Sequence, residues 1–585
     1  MIGLVWATRR GGELAAHLER AWPDARAFPG PPGEALRAAW RDSDAVVAFM
    51  AAGAAVRLAA PLLYRKQTDP GLVCVDDAGR FAVALAGGHA GGANRLATRV
   101  AGALGAQPVV TTAGDALGLP ALDQLGADLG LRLEDGADLA AVAGALVAGD
   151  PVTLLSDQRW PLPPLPGNVT VAAAGSGSGR RADGRPASAD QLAGPPAEPV
   201  APCLVVSDRL ASWPRPALVY RPPSLVVGVG CSRGAPAGEI LDLVDAALAG
   251  AGLAAASVAT LASVDAKRDE PGLARAAAER GWPLRFHPAA ELAAVPVPNP
   301  GAAAARAVGT PSVAEAAALA GGRAELVVPK RKTASVTVAV ARTRPRGRLY
   351  LVGTGPGEEA LLPPAARDAL ARCQLVVGLD RYLEQVAGFL RPGTRVAASG
   401  IGGEVERARL AVAEAAAGAA VALVSGGDAG VYGLASPALA EAGDEVEVVG
   451  VPGVTAALAA AALLGAPLGH DHCSISLSDL LTPWEVVRRR IRAAAEGDFV
   501  VCFYNPRSAG RDWQLAEARL LLLEHRKPDT PVGVVTDAWR PGQRVTLTTL
   551  GDLDVNGVGM TTTVVVGSTL TRVVAGRMVT PRGYR

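Results

Sequence analysis

Two glycine-rich turns constrain this chain more than any other feature: Gly353-Thr354-Gly355-Pro356-Gly357 and Ser425-Gly426-Gly427-Asp428-Ala429-Gly430-Val431-Tyr432. Each follows an apolar, strand-like run, 348–352 and 420–424, so each falls where a parallel α/β sheet presents its strand ends to a ligand. Backbone without side chains can lie against a flat, charged small molecule there. One such turn alone says little, because glycine after a strand usually marks a tight turn. Two in succession, each behind a strand, predict an α/β ligand cleft.

The 585 residues exceed what one core holds and imply roughly three or four domains. Half of them are hydrophobic and 19% are charged, the balance of an alanine-rich globular protein. A formal charge of +1 gives no global field for nucleic acid or an anionic membrane. The run Lys330-Arg331-Lys332 reads as the beginning of a solvated strand rather than a phosphate patch. Cysteines 74, 203, 231, 373, 473 and 502 are scattered, with neither zinc nor iron-sulfur spacing, and fit a reducing cytoplasm. Arg9 and Arg10 interrupt any signal-peptide core, and no apolar run is long enough to span a bilayer. The alanine-rich stretch 454–464, between Pro452 and Pro467, reads as a buried helix. A soluble cytoplasmic enzyme is expected.

Two shifts in composition divide the sequence. Residues 175–199, opening on Gly175-Ser176-Gly177-Ser178-Gly179, carry no apolar periodicity and are expected to form a flexible excursion. Residues 342–347 separate the strand-like runs 336–340 and 349–352 and predict a hinge between two halves. In the first half, 73–77 and 81–85 alternate like a hairpin about Ala78-Gly79. Gly87-Gly88-His89-Ala90-Gly91-Gly92-Ala93-Asn94 then leads into a helix. A strand and glycine turn at 225–234 precede an amphipathic run to Ala249, and Ser312 and Glu315 have the spacing of a capping box. The fold class expected is multidomain α/β, with segments 1–130, 131–222 and 223–342 forming two or three small α/β domains ahead of 347–585.

Beyond its glycine turns, the second half carries Val451-Pro452-Gly453-Val454-Thr455-Ala456, Gly465-Ala466-Pro467-Leu468-Gly469-His470-Asp471-His472-Cys473, Leu477-Ser478-Asp479-Leu480-Leu481-Thr482-Pro483-Trp484 and Phe503-Tyr504-Asn505-Pro506-Arg507. In order and spacing, residues 347–585 resemble the tetrapyrrole methylases of corrin biosynthesis. The last two segments resemble the branch that methylates carbon 17 of precorrin-3B. The resemblance implies a two-lobed fold, S-adenosylmethionine as donor, a precorrin or cobalt-precorrin acceptor, ring contraction, and a homodimer through this domain. It implies donor contacts at Gly427, Asp428, Val431, Tyr432, Thr455, Ala456, Tyr504 and Thr562, with Pro356 toward the acceptor. The chain departs from the family pattern at Gly426, where serine is common, and at Ala429, where proline is common. Without proline's fixed φ that loop is less rigid.

Arg381, in Asp380-Arg381-Tyr382, either positions substrate carboxylates or begins a solvated helix. Ser478, Asp479 and Thr482, ahead of Pro483 at a helix start, offer hydroxyls and backbone donors to anionic side arms. His470, His472 and Cys473 are ligand types, yet no fourth ligand follows at zinc-like spacing and no metal is expected. His470 reads as a satisfied structural histidine or a proton shuttle. No residue is assigned to the acid–base chemistry of ring contraction.

The first half resembles the cobalamin-biosynthesis protein that opens the lactone of cobalt-precorrin-5A and releases acetaldehyde. The matching stretches are 87–94, 109–115, 228–234, 262–270 and 313–319; residues 130–222 match little and 1–44 are uninformative. Lactone opening needs a nucleophilic water, a base and an oxyanion donor. His89 and the Lys267–Glu270 pair are the candidates, against the alternatives of a plain turn and an exposed charged loop. The whole reads as a fusion of two corrin-pathway enzymes. A methyltransferase for another tetrapyrrole carbon, joined to a noncatalytic binding module, is the rival.

Overall fold

The computed structural model describes all residues except 66, 67, 89, 90, 174–200, 302–304, 307, 509, 584 and 585. His89 and the whole of the expected flexible segment 175–199 therefore lie outside the described residues. Residues 1–159, 163–345 and 391–393 make one compact unit, and 160–162, 346–390 and 394–585 a second. Both are mixed α/β, as the sequence predicts. Among the described residues, no helix is long and apolar enough to cross a membrane.

The first unit holds three sheets. The first orders Ala25–Ala27, Ile2–Trp6, Ala45–Phe49, Gly71–Val75, Phe81–Ala86 and Gln107–Val109. Residues 1–44, uninformative as sequence, thus supply two of its strands together with the helices Arg9–Ala21 and Pro32–Asp42. Gly71–Val75 and Phe81–Ala86 run antiparallel, the expected hairpin. Asp76 closes it, its carboxylate accepting from the backbone N–H groups of Ala78, Arg80 and Phe81. The second sheet orders Arg132–Leu133, Ala217–Arg221, Cys203–Val206, Val152–Ser156 and Val169–Ala173.

The third sheet orders Leu284–His287, Val258–Val264, Leu225–Cys231, Val336–Thr343 and Ala324–Lys332. Helices Ala237–Gly250 and Pro271–Arg280 cover one face and Val313–Leu319 the other, so its central strand Leu225–Cys231 is apolar throughout. The capping box forms only half. Ser312 Oγ accepts from Glu315 N, but the fully buried Glu315 carboxylate turns away to accept from Asn299 N, Asn299 Nδ2 and Lys330 N. Buried carboxylate oxygens must be satisfied, and here the Asn299 side-chain amide and two distant backbone donors satisfy them in place of the helix's own first residue. The run Lys330-Arg331-Lys332 ends a strand instead of beginning one; Lys330 and Arg331 donate to the carbonyls of Asn299 and Ala246.

The second unit opens with an all-parallel sheet ordered Arg395–Ser399, Leu375–Leu379, Ala420–Ser425, Gly347–Gly353, Val446–Val451. Helix Pro364–Arg372 packs on one face, and Glu404–Ala416 with Ala435–Glu441 on the other. The neighbouring strands Gly347–Gly353 and Ala420–Ser425 therefore send their following helices to opposite faces and leave a crevice at their carboxyl ends. A mixed sheet follows, ordered His472–Ser476, Val500–Tyr504, Thr562–Val566, Pro531–Thr536, Arg544–Thr549. The alanine-rich stretch forms the helix Ala456–Leu464, buried along most of its length.

Candidate active site

Gly353 stands opposite Ser425 in the parallel pairing, so both glycine turns leave one sheet edge side by side. There Gly355 N donates to Gly427 O at 3.0 Å and Gly427 N to Gly355 O at 2.8 Å. A third turn packs against them. A Cβ on Gly353 would lie 2.7 Å from both Gly427 O and Gly453 N, and one on Gly453 would lie 2.1 Å from Gly427 O. The backbones approach this closely only because Gly353 and Gly453 lack a side chain, while Gly427 supplies a left-handed φ of +68°.

Beside this contact lies a cavity of about 220 Å³. Of the residues expected to touch the donor, Gly427, Val431, Tyr432, Thr455, Ala456, Tyr504 and Thr562 line it, as do Pro356 and Arg381. Asp428, Ser478, Asp479 and Thr482 do not. Asp428 instead bridges two turns: Oδ1 accepts from Gly430 N at 2.8 Å and Oδ2 from Gly453 N at 2.9 Å. Asp479 accepts from Gln514 Nε2 at 3.0 Å, and the adjoining Leu480 and Leu481 are 85% and 98% exposed. The segment meets the cavity wall only indirectly, through Ser476 Oγ, which accepts from both Ser478 N and the cavity-lining Asn505 Nδ2.

Tyr504 joins the two sheets. Thr455 is the N-cap of the Ala456–Leu464 helix, yet its side chain caps nothing. The Tyr504 hydroxyl, 2.7 Å from Thr455 Oγ1, accepts from Ala457 N at 2.9 Å in its place. Burial pushes the Tyr504 pKa up, so the hydroxyl stays protonated. Its ring sits 5.0 Å from that of Tyr432, whose hydroxyl donates to Ser474 O. Tyr432, Asn505 and Asp537 line the cavity with φ of +52°, +51° and +49°. Non-glycine residues hold this conformation at a cost of about 1–3 kcal/mol each, and such strain concentrates at ligand sites.

Sequence reasoning missed Tyr382, Asn505, Asp537 and Arg540. Arg381 lies over the Tyr382 ring, 5.0 Å from its centroid. Arg540 Nε donates to the Pro356 carbonyl. A Cβ on Gly426 would lie 2.4 Å from the Tyr382 ring, so the serine of the family pattern is excluded while that ring stays there. Asn505 and Tyr382 fall inside segments the sequence singles out, Phe503-Tyr504-Asn505-Pro506-Arg507 and Asp380-Arg381-Tyr382, whereas nothing local marks Asp537 and Arg540, because the segments that meet are far apart.

Near the helix Ala456–Leu464, His470 Nδ1 accepts from Asp471 N at 2.7 Å, and His472 is exposed. Among the described residues no group of three His, Cys, Asp or Glu could hold a metal ion. In the first unit, Lys267 Nζ lies 3.4 Å from Glu270 Oε2. Glu270 is 7% exposed and also accepts from Gly234 N, which ties it to the turn after Leu225–Cys231. On the first sheet, Asn94 Nδ2 donates to Thr112 Oγ1 and Asp115 Oδ2, joining the stretches 87–94 and 109–115.

Residues 348–554 match the family described as Tetrapyrrole (Corrin/Porphyrin) Methylases. Residues 34–115, 120–222 and 225–341 match Cobalamin synthesis G N-terminal, Cobalamin biosynthesis central region and Cobalamin synthesis G C-terminus. The central residues, where motifs seemed sparse, thus match as well. A Salmonella typhimurium protein named "Probable cobalt-factor III C(17)-methyltransferase" is 49% identical over 40% of this chain and 99% of its own length. A Sinorhizobium "Precorrin-3B C(17)-methyltransferase" is 47% identical over 39% of this chain and 91% of its own length. Among solved structures, the methyltransferase CobJ is 38% identical, covers 40% of this chain and all of its own, and gives a TM-score of 0.39. CobE, from the cobalamin biosynthetic pathway, is 39% identical, with 20% and 93% coverage and a TM-score of 0.20. The chain belongs to the tetrapyrrole methylases, carrying that domain behind three segments of the cobalamin synthesis G type.

Proposed function

We propose that the second unit methylates carbon 17 of a precorrin-3B-type macrocycle, metal-free or cobalt-bearing, with ring contraction and S-adenosylmethionine as donor. The observation that supports this best is the mutual contact of Gly353, Gly427 and Gly453 beside a cavity edged by Thr455, Ala456, Tyr504 and Thr562. Backbone bared in this way suits a nucleoside donor, and Gly427, Val431 and Tyr432 would hold it with those four. The donor supplies a methyl group already activated as a sulfonium, so orientation and exclusion of water are what remain for the protein. Asp428 positions by fixing the second and third turns together. Tyr504 does so by capping the helix behind Thr455. Pro356 and Arg381 face the acceptor; Ser478, Asp479 and Thr482 reach its side arms from outside the cavity.

Residues 1–342, taken as domains 1–130, 131–222 and 223–342, are proposed to open the lactone of cobalt-precorrin-5A with loss of acetaldehyde. Glu270 would take the proton of the attacking water and Lys267 would donate to the developing oxyanion, with His89 assisting. A second reading, a noncatalytic module that binds intermediates, is favoured by the Gly234 N–H and Lys267 ammonium that already engage the Glu270 carboxylate. We place the protein in the cytoplasm as a homodimer joined through the methyltransferase unit, which light scattering of the purified chain tests.

Mass spectrometry of products from metal-free and cobalt-bearing acceptors, with the full chain and S-adenosylmethionine, tests the main reading. One added methyl at carbon 17 is expected; methylation elsewhere sinks it. Glu270→Gln is expected to abolish acetaldehyde release while leaving methyl transfer intact. A wild-type chain that binds the lactone and releases no acetaldehyde establishes the binding module instead.

A further inference from the structure

Arg540 is held at the cavity by three independent devices. It ends a turn in which Asp537 and Trp539 both adopt left-handed backbone, at φ +49° and +58°. Trp539 is pinned on either side, its N donating to Gln543 Oε1 at 2.8 Å and its Nε1 to Ala459 O at 3.0 Å. The guanidinium then donates through Nε to the carbonyl of Pro356, in the first glycine turn. That turn must be bare to admit it: a Cβ on Gly357 would lie 2.6 Å from Arg540 Nε and 2.7 Å from its Cγ. Strain, anchoring and a glycine vacated for one side chain are a large commitment to a cation that a fold alone does not need.

Arg381 lines the same cavity. Its Nε is buried without a hydrogen-bond partner, and its Nη2 reaches only the Tyr382 hydroxyl, at 3.4 Å. Neither arginine forms an ion pair among the described residues, although Asp537 also lines the cavity. The two cations act on one another. The Arg540 pKa is pulled down chiefly by burial; Tyr382 opposes the shift, the Arg381 charge adds to it, and Asp537 opposes it more weakly. Two partly buried guanidinium groups with no protein carboxylate between them repel, and arginine is the side chain whose planar fork matches a carboxylate.

We infer that Arg381 and Arg540 form a two-cation clamp for a carboxylate of the bound ligand, an assignment that rests on the ligand cavity proposed above. Two sources share that chemistry: the amino-acid carboxylate of the methyl donor and an acidic side arm of the macrocycle. The clamp makes both arginines determinants of ligand affinity. Arg540 also fixes the first glycine turn through Pro356, whereas Arg381 holds no backbone. Loss at Arg381 therefore reports on the ligand and not on the loop.

The test is calorimetry on the full chain, as wild type, Arg381→Gln and Arg540→Gln, with S-adenosylhomocysteine and with 5′-methylthioadenosine, which lacks the carboxylate. It is paired with KM and kcat for the tetrapyrrole acceptor. If the clamp holds the donor's carboxylate, both variants lose about 10- to 100-fold in S-adenosylhomocysteine affinity, keep that for methylthioadenosine and keep the acceptor KM. If it holds a macrocycle arm, both nucleosides bind as before and the acceptor KM rises by a similar factor with kcat little changed. Should Arg381→Gln leave S-adenosylhomocysteine affinity and acceptor KM untouched, or weaken both nucleosides equally, the clamp is wrong whatever Arg540→Gln does. A wild-type chain that binds neither nucleoside would overturn the cavity reading, and the clamp with it.

Discussion

A side chain at position 426 has no room while Tyr382 stays in place, since a Cβ there would come within 2.4 Å of its ring. Gly426→Ser is therefore expected to cost about 1–3 kcal/mol of stability, the usual range for overpacking a close contact. Urea unfolding checks it, and adding Tyr382→Ala should recover part of the loss. This was half legible beforehand. The sequence marks Gly426 as a departure from its family's pattern, but the ring that accounts for it comes from another strand end. Arg540 was not legible at all: its partner Pro356 lies 184 residues away, and no periodicity or spacing connects the two.

At the level of elements, what could be read was local. The hairpin about Ala78-Gly79, the buried helix behind Pro452 and the strand-then-glycine turns follow from alternation, from an alanine run and from positive-φ demand, each contained within a few residues. What could not be read was where side chains go once elements meet. Glu315 has the spacing of a cap and instead ties down Asn299 and Lys330. Tyr504 caps a helix it does not belong to. Asp428 links two loops, a role its neighbours along the chain do not disclose. Asp428→Ala is expected to weaken S-adenosylhomocysteine binding about tenfold by freeing Gly430 N and Gly453 N, with hydrogen bonds to a charged acceptor lost at both. Lys330→Ala, at a strand end of the first unit, should change that affinity little. Equal effects in calorimetry would place the donor elsewhere.

Over the whole molecule, apolar cores are supplemented by buried polar contacts between sheets. Asp208, 2% exposed, follows the strand Cys203–Val206 of the second sheet and accepts both Nε and Nη2 of Arg342 at 2.7 Å, on the third. Asp208→Ala leaves the buried Arg342 guanidinium with only the looser Glu325 pair, at 3.8 Å, and should destabilise the first unit by about 3 kcal/mol, whereas Asp208→Leu with Arg342→Met should cost far less. Urea denaturation separates the two outcomes. Alkali should act through buried thiols. Burial pushes the Cys74 pKa from 9.0 to about 11, so the unfolded chain loses this proton first. The thiol's contribution is complete below pH 9 and falls as pH rises from 9 to 11. Cys74→Ser, which keeps a donor toward Met50 O and does not ionise, should make the decline over that window shallower in thermal melts. The contact of Gly353, Gly427 and Gly453 has a different kind of consequence. A methyl group on Gly353 or Gly453 would need its neighbours to withdraw at the same moment, so no path of single viable substitutions leads away from this arrangement. Descendants of this chain can change what they bind only by altering the rim, at positions such as 381 and 540, over a floor that stays fixed.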